Sequence, residues 1–80
     1  MTTEAIRATL VRCLTDVAPE LADEEIEDEM DLREELDLDS MDILRWVQGI
    51  HQALGVEIPE EDYARISTLG GAVHYVAARV

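Results

Sequence analysis

Apolar side chains at steps of four, four and three open the chain: Ile6, Leu10, Leu14 and Val17, with Cys13 on the same stripe. That period is helical. Thr3 is placed to cap the helix, and Glu4 suits a first turn whose free N–H groups and dipole favour negative charge. Pro19 ends the run, because Ala18 before it is pushed out of the helical region. A helix over about 4–17 is expected. A second stripe, Ile43, Val47, Ile50 and Leu54, predicts a helix over about 40–54. Asp39 can cap it, Asp42 lies three residues on in the manner of a capping box, and Gly55 fits a left-handed C-terminal cap. At 100° per residue Met41, Arg45, Gln48 and Gln52 face outward. Gly49 and Ala53 leave one flank open to close approach, with Trp46 near them at the core's margin. A third stripe, Leu69, Val73, Val76 and Val80, follows a capping Thr68 and predicts a helix over about 69–79. Between these, Ile58-Pro59 forms an extended turn and residues 60–64 a short helix. The expected fold is all-α: three main helices, one short one and no strand.

Residues 18–39 are different in kind. Leu21, Ile26, Met30, Leu32, Leu36 and Leu38 are scattered among many carboxylates, and Arg33 is the only base. A pure charge run would be a solvated tail. The apolar residues instead predict a long acidic loop pinned to the core, and connections of that length are often functional.

The chain has 80 residues, room for one small domain, 1–80. A domain of this size hides only roughly 60% of the surface its unfolded chain exposes. Hydrophobic residues make up 48%, aromatics 4%, and Phe is absent, so the core must be aliphatic. That composition favours a helical bundle over a β-sandwich. Six basic residues stand against 19 acidic ones, a net charge of −13. All six are Arg. Nucleic acid is therefore not an expected partner, since binding it needs a cationic footprint. An acidic protein is steered instead towards basic surfaces. Without Lys, Schiff-base chemistry on a lysine is excluded. Cys13 is alone and cannot make an internal disulfide. No secretory signal is expected, and no apolar run is long enough to insert in a membrane. A cytoplasmic monomer is expected.

Ser40, His51 and an acid invite a nucleophilic reading. Yet Ser40 and His51 lie on one helix about 16 Å apart along its axis, at 1.5 Å per residue. His51 and His74 read as surface or core-edge residues, and catalysis is not expected. Calcium binding by an EF-hand loop fails on spacing. Counting from Asp31, Arg33 breaks the pattern; counting from Asp37, the sixth and twelfth positions are Asp42 and Gln48. No Cys/His cluster suits zinc, so no metal site is expected. What remains is Asp39-Ser40-Met41-Asp42, a hydroxyl at a helix N-terminus after a long acidic loop. Such a terminus favours a phosphate attached there.

Leu36-Asp37-Leu38-Asp39-Ser40-Met41-Asp42 resembles the phosphopantetheine-attachment motif of acyl carrier proteins, Asp-Ser-Leu in its commonest form. Leu54-Gly55-Val56-Glu57-Ile58-Pro59-Glu60-Glu61 resembles that family's turn into its short helix. Ile66-Ser67-Thr68-Leu69 through Tyr75-Val76 resembles its last helix. The similarity runs through essentially the whole chain. It implies a bundle of three long helices and one short one, with a 4'-phosphopantetheine arm moved from coenzyme A onto Ser40 by a phosphopantetheinyl transferase. Asp39, Met41 and Asp42 would support the motif. Met41, Arg45, Gln48 and Gln52 would meet partners. The arm would carry an acyl group as a thioester, loaded by a ligase or transferase. Synthase-type enzymes of fatty-acid, lipid or secondary-metabolite synthesis would receive it through basic docking patches.

The departures from that pattern are specific. Many fatty-acid carriers have Gly two or three residues before the serine, where this chain has Asp37 and Leu38. Met41 replaces Leu. Arg45, His51 and Gln52 occupy positions that resemble acidic ones there. These differences favour a specialised carrier over a housekeeping one. An aminoacyl or peptidyl carrier is the alternative within the family, with Asp39 leaning away from it. An acidic helical adaptor without any covalent arm is the alternative outside it. Trp46 and Ile66 either border a pocket for cargo or pack the core, and helical spacing favours packing.

Overall fold

The computed structural model describes all 80 residues. Three α-helices form the bundle: α1 (Thr3–Val17), α2 (Ser40–Leu54) and α3 (Leu69–Ala77). Two 3₁₀ segments, Pro19–Asp23 and Glu60–Ile66, lie in the connections. There is no sheet, only an isolated antiparallel bridge between Asp31 and Thr68. The helix α1 packs against both α2 and α3. No helix is long and apolar enough to cross a membrane.

The helix ends follow local chemistry. α1 is capped by Thr2 rather than Thr3: the Thr2 hydroxyl oxygen accepts the Ala5 N–H at 3.1 Å. The Thr2 carbonyl already receives the Ile6 N–H, which places Thr3 inside the first turn. At the far end the Ala18 N–H reaches the Leu14 carbonyl, and Pro19 turns the chain into the first 3₁₀ segment. α2 ends at Leu54 and is capped by Gly55, whose φ of 70° is left-handed and whose N–H donates to the His51 carbonyl. A side chain there would cost about 1 kcal/mol or more. Thr68 caps α3, accepting the Gly71 N–H at 3.0 Å. Gly71 is required by space, because a β-carbon on it would lie 2.6 Å from the Arg65 carbonyl oxygen.

The core holds 20 buried residues, all hydrophobic, with no buried polar or charged one among them. Trp46 belongs to its centre, not its margin, and is fully buried. The reason is α1: Cys13 lies 3.6 Å from where a β-carbon on Gly49 would be, so the helices close over that flank. The Trp46 indole N–H then donates to the Leu10 carbonyl at 3.0 Å. Val80 departs in the opposite sense, remaining 52% exposed rather than inward. α3 ends at Ala77, two residues short of the expected end. Beyond it Arg79 turns back to donate to the Tyr75 carbonyl and lay its guanidinium on the Tyr75 ring, 3.5 Å from the centroid. The expected helix at 60–64 is a 3₁₀ segment that continues to Ile66.

The acidic connection is pinned at intervals. Leu21, Ile26, Leu32 and Leu38 are buried, while Met30 and Leu36 are half-buried. Arg7 ties the loop to α1, donating to the Asp28 carboxylate at 2.9 Å and the Ile26 carbonyl at 2.8 Å. The Gly70 N–H reaches the Asp28 carbonyl, and the Leu32 N–H the Ser67 carbonyl.

Two expectations follow. Trp46→Phe loses the indole hydrogen bond and leaves a void, and should lower stability by about 1–3 kcal/mol in a denaturant titration. A shift below about 0.5 kcal/mol would contradict the anchoring role of the indole. The second concerns salt. Arg7–Asp28 is the only ion pair, and both partners are substantially exposed, so screening removes little attraction and much repulsion. The melting temperature should rise from low to moderate salt, and rise further with divalent cations. A flat profile would show that self-repulsion does not limit this fold.

Candidate functional site

The approach to α2 is shaped residue by residue. Asp37 has a φ of 56°, the only left-handed residue besides Gly55. Aspartate tolerates that region better than most side chains, at a cost of about 1–2 kcal/mol. The turn sends Leu38 into the core and brings Asp39 into extended backbone. The Asp39 carboxylate accepts the Asp42 N–H at 2.9 Å, and the Asp42 carboxylate accepts the Asp39 N–H at 3.2 Å. Both carboxylates are thereby engaged in a reciprocal cap. Ser40 is the first residue of α2, exposed, with its hydroxyl free of any protein hydrogen bond. The N–H groups of Ser40 and Met41 lie in the first turn, where no helical carbonyl is available to them.

Ser40 borders an open cleft of about 1140 Å³. One wall is α2, with Met41, Ile43 and Leu44. The other is the second 3₁₀ segment, with Glu60, Tyr63, Ala64 and Ile66, continuing to Ser67. The acidic loop closes one end through Asp31, Arg33, Glu34 and Asp37–Asp39. Its lining is thus apolar at Leu38, Ile43, Leu44 and Ile66 and heavily carboxylated around them. Ile66 is almost fully buried yet lines the cleft, whereas Trp46 belongs to the core alone.

The wall opposite Ser40 is held to α3 by Tyr75. Its hydroxyl donates to the Asp62 carboxylate at 2.6 Å, and Arg65 and Arg79 both lie over its ring. The bond to Asp62, followed by burial, pushes the Tyr75 hydroxyl above the usual tyrosine range. Burial likewise raises the Cys13 thiol, which faces the interior beside Gly49 and not this cleft.

Met41, Arg45, Gln48 and Gln52 are all exposed on the outward face of α2, Met41 by 57%. His51 is exposed farther along the same helix and His74 on α3, and neither lines the cleft with Ser40. No three His, Cys, Asp or Glu side chains converge in a way that could hold a metal ion. Sequence reasoning passed over Leu44 and Tyr63. Leu44 lies outside the core stripe, but its spacing of three from Met41 marks a second apolar seam that could have signalled it.

The family description "phosphopantetheine attachment site" matches residues 8–76. Among curated proteins, the acyl carrier protein of Rubrobacter xylanophilus is 38% identical over 52 residues, covering 65% of this chain and 64% of that one. Those of Wolinella succinogenes and Renibacterium salmoninarum are each 34% identical, over 53 and 58 residues. These matches cover 66% and 72% of this chain, and 70% and 72% of the relatives. The aligned stretches thus span roughly two thirds of the relatives' lengths. The family is one of carriers rather than catalysts, and its prosthetic group is covalently attached 4'-phosphopantetheine. With a match of this extent on an all-α bundle, the chain belongs to the phosphopantetheine-binding acyl carrier proteins.

Proposed function

We propose that Ser40 bears the phosphopantetheine arm, and that the protein presents an acyl group to enzymes of fatty-acid, lipid or secondary-metabolite synthesis. One observation carries the attachment site: Ser40 has an exposed hydroxyl with no competing hydrogen bond, at the start of α2 and on the rim of a cleft. Ser67, the only other serine, is half-buried in the segment joined to Leu32. The residues fit the group chemically. The first-turn N–H groups of α2 favour a phosphodiester, and an apolar cleft with a polar rim suits an arm of amide and methylene units. That arm supplies a terminal thiol, on which an acyl group is carried as a thioester. The chain's own part is to hold Ser40 outward, keep α2 capped and offer the surfaces that partners meet.

Those partners are a phosphopantetheinyl transferase, a loading ligase or transferase, and synthase-type enzymes with basic patches. A net charge of −13 supports electrostatic steering towards such surfaces. Met41, Arg45, Gln48 and Gln52 form the docking face. The absence of a membrane-crossing helix and a single buried, free Cys13 are compatible with work as a monomer in the cytoplasm.

The docking face also supports a specialised role. Only one of the 15 residues of α2 is acidic, Asp42, and the cap engages it. The outward side presents Arg45 and His51 in a chain that is otherwise strongly negative. Facing a patch built for an acidic helix, Arg45 makes a like-charge contact, a recognised source of selectivity.

Incubation of the apo protein with coenzyme A, magnesium and a broad-specificity transferase should add one phosphopantetheinyl unit by intact mass. Ser40→Ala should add none. Modification of that variant, or none of the wild type with several transferases, removes the assignment.

Selectivity is read from elongation rates. The loaded wild type should be a poor substrate for fatty-acid elongation enzymes beside an ordinary fatty-acid carrier. Arg45→Glu with His51→Glu should raise that rate, more at low salt than at moderate salt, with the fold and arm intact. A wild type that already matches the ordinary carrier would end the specialised reading.

A further inference from the structure

Arg33 is the one cation lining the cleft that Ser40 borders. It shares that cleft with Asp31, Glu34, Asp37, Asp39 and Glu60, yet pairs with none of them. Several neighbouring carboxylates have other work. One Asp31 oxygen accepts the backbone N–H groups of Arg33 and Glu34, at 3.0 and 2.9 Å. Glu35 accepts the Asp31 N–H at 2.7 Å. Asp39 and Asp42 are engaged in the cap of α2. The backbone beneath Arg33 is fixed as well, because Leu32 is fully buried and its N–H is bonded to Ser67 on the opposite wall. The result is an exposed guanidinium on an anchored turn that makes no ion pair, in a cleft where Asp31 and Asp39 accept backbone N–H groups and Glu34, Asp37 and Glu60 do not.

Resting on the assignment of the arm to Ser40, we propose that Arg33 is the counter-charge for the phosphodiester joining the arm to that serine. A phosphodiester there enters a crowded negative field. The N–H groups of Ser40 and Met41 and the dipole of α2 offset part of the repulsion. Arg33 supplies the remaining positive charge. Its planar fork of donors suits two phosphate oxygens better than an ammonium would. No other arginine is placed to do this. Arg7 is paired with Asp28, Arg65 and Arg79 stack on Tyr75, and Arg12 and Arg45 lie outside the cleft. The contact orients the root of the arm along the cleft rather than away from it. For an exposed pair the bias is up to about five-fold in population at low salt, and it falls as ions screen it.

The test uses holo wild type, Arg33→Gln, Arg33→Lys and Arg12→Gln, with intact mass and peptide mapping confirming the arm on Ser40. An arm that fails to attach, or attaches elsewhere, refutes the attachment reading and the proposal with it. With the arm on Ser40, two resonances are followed by NMR. The Arg33 Nε–H signal should move between apo and holo wild type. The phosphorus signal should shift in Arg33→Gln relative to wild type, shift less in Arg33→Lys, and stay in place in Arg12→Gln. Both differences should shrink by about 0.5 M salt, where screening lengths are a few Å. Attachment on Ser40 with a stationary Arg33 signal overturns the proposal while leaving the carrier reading intact. So does a phosphorus signal that ignores Arg33→Gln or responds equally to Arg12→Gln.

Discussion

The hydrogen bond from Leu32 to Ser67, with the Leu32 side chain sealed in the core beside it, is the join on which the site depends. Residues 24–39 contain no regular helix, and such a connection would ordinarily pay a large entropic cost to stay ordered. Here the cost is met at separate points: Ile26 and Leu38 buried, Arg7 clamped on Asp28, and Leu32 bonded to the segment that leads into α3. The last of these has a structural consequence beyond stability. It fixes the middle of the acidic loop against the end of the second 3₁₀ segment, while the buried Leu38 fixes the loop's last residues to the core just before α2. The cleft beside Ser40 is the space these attachments leave between the walls.

Charge is arranged around that frame rather than within it. None of the 19 acidic residues is buried, and only one ion pair forms. Stability therefore rests on burial of aliphatic surface and of Trp46, opposed by repulsion among exposed carboxylates. Part of that repulsion is reduced by giving carboxylates backbone donors, as Asp31, Glu35, Asp39 and Asp42 show. Each such bond orders a turn as well as satisfying a donor. Past its cap α2 carries no acidic residue, and Arg33 pairs with none of the carboxylates around it.

The helices were legible because three apolar stripes carry the helical period and each ends in recognisable chemistry: Pro19 after α1, Gly55 after α2, Thr68 before α3. What the stripes could not supply was interhelical distance. Trp46 reads as marginal on a helical wheel, and only the near contact of Gly49 with Cys13 brings α1 over it. Val80 continues a four-step pattern, yet the stacking of Arg79 on Tyr75 turns the chain end outward before that position can be buried. The sequence reading places the cap of α1 at Thr3, and the register of one backbone bond, Ile6 N–H to the Thr2 carbonyl, moves it to Thr2. At the site, Ser40 and its flanking acids stand out by motif. Leu44 is one helical turn from Ser40 and was legible from that spacing, whereas Tyr63 and Ser67 become neighbours of Ser40 only through the long-range join between the loop and the second 3₁₀ segment.

A serine that another enzyme must modify has to meet conflicting requirements, and residues 37–42 resolve them in sequence order. The hydroxyl must be accessible, so Ser40 cannot be the capping residue, whose side chain turns inward to the helix N–H groups. Asp39 takes that role, one position earlier. The backbone around the hydroxyl must nonetheless be rigid, and the reciprocal bonds of Asp39 and Asp42 close a ring across it. The chain must also arrive from the core side. Leu38 anchors it there, and the left-handed Asp37 provides the bend that lets Leu38 point inward while Ser40 points out. Local strain at Asp37 is thus tied to exposure at Ser40: relaxing the bend without moving Leu38 would rotate the start of α2, and with it the direction in which the serine is presented.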